Sequence, residues 1–313
     1  MTLTLEADGV RVACAPAQGF TITSLRDTRS GAEALWTWRR PAAPASRALG
    51  HGGAASVETF IDVFEGGWFE MFPAVGFPAE DDPASLLHGE LVRLPWEVLE
   101  QTDTAVTARV ETVRSPFEVT RRVEISSGAL QVSEQIRNVG GEPAPYAWGH
   151  HPCLSRETFA GGSLELEVAS AYVPDPPYDP AATVLAAGDV AWPAGSARDG
   201  TEVDLSIVPL EPDGRVDHIC LQPVHGRARI TAPQAGAALE LTWDLEQFPH
   251  LLLWQNFCGR GGWPFWAQAD TFAIEFSTIP GRTMPEAIAA GAIRELAPGA
   301  SVETSITAAW TPL

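Results

Sequence analysis

Strict alternation of apolar and polar residues is the feature that most constrains this chain. Val106-Thr107-Ala108-Arg109-Val110 alternates, as do Val123-Glu124-Ile125, Leu130-Gln131-Val132-Ser133 and Ile136-Arg137. The same period of two runs through Leu164-Glu165-Leu166-Glu167-Val168, Leu239-Glu240-Leu241-Thr242-Trp243 and Val302-Glu303-Thr304-Ser305-Ile306. Successive side chains of a strand point to opposite faces, so such segments bury one face and wet the other. That pattern belongs to antiparallel sheets packed on a core. Turn residues separate the runs at Asn138-Val139-Gly140-Gly141, Gly161-Gly162 and Asp213-Gly214. Many strands with short turns predict an all-β protein, a sandwich or barrel with few short helices. The best helical candidate is Pro285 to Leu296, with Pro285 suited to the first turn and Gly291 weakening the middle. The Pro- and Ala-rich segment from Val173 to Gly200 is expected to be a long surface excursion, of a length that often serves function.

No stretch marks a linker, and all-β units commonly exceed ~200 residues, so one domain over residues 1–313 is expected. Apolar residues make up 45% and charged residues 19%, an ordinary globular balance. No apolar run approaches the roughly 18 residues of a membrane helix. The N-terminal residues lack the basic and apolar regions of a secretion signal, so the expected location is cytoplasmic. Forty acids against 20 bases give a net charge of −20. Such a surface repels nucleic acid and anionic membranes and leaves a neutral small molecule as the easier partner. Cys14, Cys153, Cys220 and Cys258 are far apart, in no metal-binding or redox spacing, and are expected to be reduced.

Three clusters combine a titratable residue with unusual neighbours. In Leu87-His88-Gly89-Glu90-Leu91-Val92-Arg93-Leu94-Pro95-Trp96, the glycine permits close backbone approach. Arg93 there offers a fork of donors and Trp96 a flat face for a sugar ring. In Tyr146-Ala147-Trp148-Gly149-His150-His151-Pro152-Cys153, two adjacent histidines on an extended segment face opposite ways, so one of them enters a given cleft. Adjacent histidines lack the helical spacing of a zinc pair, which argues against a metal. In Thr271-Phe272-Ala273-Ile274-Glu275-Phe276-Ser277, a carboxylate is embedded in an apolar strand. Burial there would raise its pKa and make it a better base. Alternation equally permits Glu275 on a solvent face. Asp217 in Val216-Asp217-His218-Ile219 is a candidate acceptor for hydroxyls, and Trp68 in Gly66-Gly67-Trp68-Phe69-Glu70 a candidate cleft wall.

In order and surroundings these clusters resemble the aldose 1-epimerase (galactose mutarotase-like) family over most of the chain, from about Gly66 to Trp310. His88-Gly89 to Arg93 to Trp96 is similar to its His-Gly segment, His151-Pro152 to its second histidine, Asp217 to its hydroxyl-binding aspartate and Ile274-Glu275 to its late glutamate. The stretch from Pro285 to Gly299 resembles its short helix and Pro-Gly turn. The resemblance implies a large twisted antiparallel β-sandwich that interconverts the α and β anomers of an aldose without cofactor or metal. It implies Glu275 as base, His151 as acid and His88 as donor to the ring oxygen. Asp217, Arg93, Trp96, Trp68 and His150 are the residues expected around the substrate, in a monomer or homodimer. Cys153-Leu154 stands where the family has an aromatic pair, Phe276 where many relatives have Pro, and its usual early Arg has no match. These departures imply a divergent branch with its own substrate preference. Arg93, or Arg260 in its glycine-rich loop, would be the cation for an anionic sugar. The competing readings are a non-catalytic carbohydrate-binding protein of the same fold and, less well matched, a glycosidase, which needs two flanking carboxylates.

Overall fold

The computed structural model describes residues 2–40, 42–80, 82, 85–281 and 283–313. Two large antiparallel sheets dominate. In a ten-stranded sheet the strands Leu3–Ala7, Val10–Ala15, Thr21–Asp27, Trp68–Met71, Gly149–Ser155, Asp270–Ser277, His250–Phe257, Val216–Pro223, Val168–Val173 and Gly188–Asp189 lie side by side in that order. An eight-stranded sheet runs Leu164–Glu165, Arg227–Ala232, Ala237–Trp243, Ser301–Pro312, Ala129–Asn138, Phe117–Ser126, Ala105–Glu111 and Glu97–Gln101. The alternating runs of the sequence supply the eight-stranded sheet. Their apolar residues Val119, Val123, Val132, Ile136, Leu239, Leu241 and Ile306 face Ile219, Leu221, Leu251, Leu253, Phe272, Ile274 and Phe276 of the larger sheet. The expected β-sandwich with few short helices is what forms.

Two elements differ from expectation. Leu164 to Val168 is not one strand. Leu164–Glu165 pairs with Arg227–Ala232 in one sheet, while Val168–Val173 pairs with Val216–Pro223 in the other, so the chain crosses between sheets inside the alternating run. The helix spans Met284–Ala289 and stops well before Leu296. Thr283 caps it in a reciprocal box with Glu286, Gly291 leaves it at φ +65°, and Arg294–Leu296 pairs as a strand with Ala144–Tyr146.

The ten-stranded sheet is also covered on part of its outer face. A second apolar cluster gathers there around Phe69, Cys153, Trp254 and Ala273 from the strands, Phe60 from the helix Ser56–Val63, and Leu87 and Val92. No helix among the described residues is long and apolar enough to cross a membrane.

Candidate functional site

Strand register decides which polar residues meet on that outer face. His150 pairs with Phe276 and Cys153 with Ala273, which sets His151 across from Glu275. Glu275 pairs with Leu252, Trp254 with Ala273 and with His218, and Asn256 with Val216. Paired residues share a face. His151, Glu275, Trp254, His218 and Asn256 therefore form one floor. His151 Nε2 lies 3.2 Å from Glu275 Oε1. The imidazole stacks on Phe69 at 4.6 Å and meets Trp254 edge-on, so its plane is fixed. His151, Trp254, His218 and Asn256 of that floor line a cleft of about 360 Å³, and Glu275 is buried beside His151.

His88 enters from above. Its own φ is +58°, and Gly89 follows at +73° with its backbone so close to Phe72 that a Cβ would meet the Phe72 carbonyl oxygen at 2.2 Å. Only glycine fits there. The turn drives the His88 ring against Phe60 and brings it to 5.5 Å from the His151 ring, centroid to centroid. Glu275, His151 and His88 are 2%, 4% and 2% exposed, so the three expected catalytic groups meet in a nearly dry corner.

The walls come from three connections: the helix Ser56–Val63, the 173–200 excursion through Tyr178 and Asp179, and the loop carrying Arg260, Trp263 and Phe265. The excursion thus reaches the cleft. Arg260 Nε is 3.0 Å from Asp179 Oδ2, so the cation of the glycine-rich loop is met by a carboxylate.

Five residues expected around the substrate lie elsewhere. Asp217 pairs with Gln255 on the inner face, one residue out of phase with His218. Its Oδ1 accepts from the Val184 and Leu185 amides at 3.0 Å, which ties down the excursion that bears Tyr178. Burial pushes the Asp217 carboxyl upward, against the pull of those two amides. Arg93 spends its guanidinium on the carbonyls of Gly89, Ser56 and Leu87 and the Thr59 hydroxyl. It clamps the His88 turn to the helix, and burial beside Arg114 lowers it to about 10. Trp96 is in the core, donating to the Leu91 carbonyl. Trp68 and His150 are likewise internal: the Trp68 indole donates to His150 Nδ1, and His150 Nε2 is 2.9 Å from Glu134 Oε2. Glu134 and Glu70 both contact the buried Arg121, and Trp148 donates to Glu70. Burial opposes ionisation of Glu134, yet the charges of His150 and Arg121 hold it down to about 2. Burial and the charge of Glu134 push Glu70 well above the usual carboxylate range despite Arg121.

His218, Asn256, Trp254, Tyr178 and Asp179 line the cleft and were not anticipated from sequence. His218 carried a signal, since alternation must place it opposite Asp217. Which of the two faced a cleft depended on pairing with distant strands.

No protein-family profile matches the sequence, and no curated protein matches it. Solved structures do. The Slr1438 protein of Synechocystis sp. PCC 6803 superposes with a TM-score of 0.70 at 19% identity, covering 100% of this chain and 96% of that one. A protein of Escherichia coli K12, provisionally named an aldose 1-epimerase, gives 0.69 at 18% identity over 100% and 99%. A galactose mutarotase-like protein of Lactobacillus casei ATCC 334 gives 0.66 at 18% identity over 99% and 100%. At such identities the likeness is one of fold, and the fold of this chain is the galactose mutarotase-like sandwich.

Proposed function

We propose that this chain is an aldose 1-epimerase that works as one domain and interconverts sugar anomers by acid–base ring opening. The observation that carries the reading is the His151–Glu275 pair, 3.2 Å apart with the His88 ring alongside, the two histidines lining an aromatic cleft. Ring opening needs a base at the C1 hydroxyl and an acid at the ring oxygen. Glu275 takes the hydroxyl proton as the C1–O5 bond breaks, protonated His151 gives its Nε2 proton to O5, and His88 donates a hydrogen bond there. After rotation about C1–C2 the aldehyde is attacked from its other face and both protons return. A positioned acid or base contributes roughly 10²–10⁴ in rate, and the mechanism asks for no redox or group transfer. The apolar walls Phe60, Phe64, Trp254 and Phe265 suit the C–H faces of a pyranose.

The test is anomer exchange by polarimetry or NMR, on pure-anomer galactose, glucose and a hexose 6-phosphate, with wild type and Glu275→Gln side by side. Acceleration by wild type that is lost in the variant is the expected result. Sugar binding with no acceleration by either protein would replace the proposal with the non-catalytic binder.

A further inference from the structure

The far side of the His151 ring holds a contact that the proposed reaction does not yet use. Cys153 Sγ lies 3.3 Å from His151 Nδ1. The two residues are two apart on one strand, so both project onto the cleft face. The thiol is buried. The ring cannot swing to another partner without leaving its stack on Phe69 and its edge contact with Trp254. The titratable groups facing the ring from neighbouring elements are Glu275 on the adjoining strand, His88 on the loop above and His218 in the same cleft. Nε2 addresses Glu275, and Nδ1 addresses sulfur.

We propose that Cys153 is a positioning residue for His151: its sulfur accepts the Nδ1–H hydrogen bond, keeps that proton in place, and confines proton exchange to Nε2. The inference rests on the acid role given to His151. The chemistry requires it. An imidazolium that gives its Nε2 proton to the ring oxygen becomes a neutral ring still protonated at Nδ1, with a lone pair at Nε2 ready to take the proton back. The other neutral tautomer, protonated at Nε2, has no proton to give short of forming an imidazolate. A partner that accepts at Nδ1 selects the working tautomer. Burial and the charge of Glu275 push the Cys153 thiol well up, so it stays S–H and acts through its sulfur lone pairs, without becoming a nucleophile. Sulfur is a weak acceptor. It fixes the tautomer while stabilising the imidazolium less than a carboxylate would, which keeps the Nε2 proton easy to give.

The experiment is long-range ¹H–¹⁵N NMR of the His151 ring, without substrate, in wild type, Cys153→Ala and Cys153→Ser, with anomer exchange measured alongside. Wild type is expected to carry a proton at His151 Nδ1 that the sulfur shields from solvent exchange, beside whatever proton Nε2 shares with the facing Glu275 carboxylate. Cys153→Ala should open the Nδ1 proton to solvent exchange and lower kcat about tenfold with KM little changed, on the scale of a lost partner that orients a histidine ring. Cys153→Ser, which keeps an acceptor, should restore both. A wild-type ring with no proton at Nδ1, or an Nδ1 proton whose solvent exchange is indifferent to Cys153→Ala, overturns the proposal. The wild-type spectrum alone decides even if the alanine variant does not fold. It also decides separately from the enzyme assignment, because the ring signals need no sugar. Absence of exchange with any sugar would strike the epimerase reading and leave the tautomer result standing.

Discussion

On the inner face of the ten-stranded sheet His150 meets Glu134 at 2.9 Å, and on the outer face, one residue on, His151 meets Glu275 at 3.2 Å. Both pairs are almost fully buried, and both are imidazole with carboxylate. They differ in what surrounds them. The inner pair is sealed by Trp68, Trp148, Arg121 and Glu70, which cross-link the two sheets. The outer pair reaches a cleft through His151, which is one of its lining residues. A histidine–carboxylate pair is therefore no mark of a reactive site by itself. Access to a ligand distinguishes the two, and access is made by segments far away in sequence.

The comparison breaks most sharply at the histidines. His151→Asn should lower anomer exchange by roughly 10²–10⁴-fold with a urea midpoint close to wild type. His150→Asn should do the reverse, keeping exchange in the folded protein while lowering stability; exchange lost in His150→Asn and kept in His151→Asn would invert the two faces. Next in size is Arg121→Leu. It strands the Glu134 charge in the core and should cost about 3–5 kcal/mol by denaturant unfolding. Asp217→Ala should cost about 1–3 kcal/mol, because the Val184 and Leu185 amides lose their acceptor. It should raise KM more than it lowers kcat, since it loosens the excursion that carries Tyr178. An intact KM would show the excursion to be irrelevant to binding.

The smallest effect separates the two carboxylates on Arg121. Glu70 has its pKa raised where Glu134 has its own lowered, so Glu70→Gln should cost less than the same change at Glu134. The sign follows from linkage. A carboxyl with a raised folded pKa favours the folded state below its ordinary 4.5 and loses that contribution as pH climbs toward the raised value. Glu70→Gln should therefore gain on wild type as pH rises above 4.5. Glu134 has the opposite sense: its contribution is complete above 4.5 and is lost as pH falls toward about 2. Unfolding curves of the two proteins from mildly acid to mildly alkaline pH test this. A change in the opposite direction with rising pH would show that the Glu70 carboxyl is not raised in the folded state.

Much of the sandwich was legible because period two is a local property: each alternating run reported its own buried face. Glu275 was legible in the same way, as the residue out of phase with Ile274 and Phe276. That its face is covered was not, because Phe60, His88 and Tyr178 come from remote stretches with no period. Asp217 and His218 show the limit. Alternation says that they part company, and only pairing with Gln255 and Trp254 says which one enters the cleft. Arg93 looked like a ligand-binding fork because its acceptors are backbone carbonyls, which leave no trace in sequence. The run from Leu164 to Val168 reads as one strand because crossing between two sheets leaves the alternation undisturbed.

The loop that bears Arg260, Trp263 and Phe265 leaves the sheet at Phe257 and rejoins it at Asp270, and those two residues are register partners. Its closure is its own: the Cys258 amide donates to the Ala269 carbonyl and the Ala267 amide to that of Arg260. The segment behaves as a cassette clipped onto the end of a hairpin. The strand pairing that faces His151 with Glu275 lies outside it, and its link back to the floor is Phe265 against Trp254. If the proposed function holds, residues 259–268 are where drift or design can alter which sugars are welcome, provided Phe265 keeps its place on Trp254.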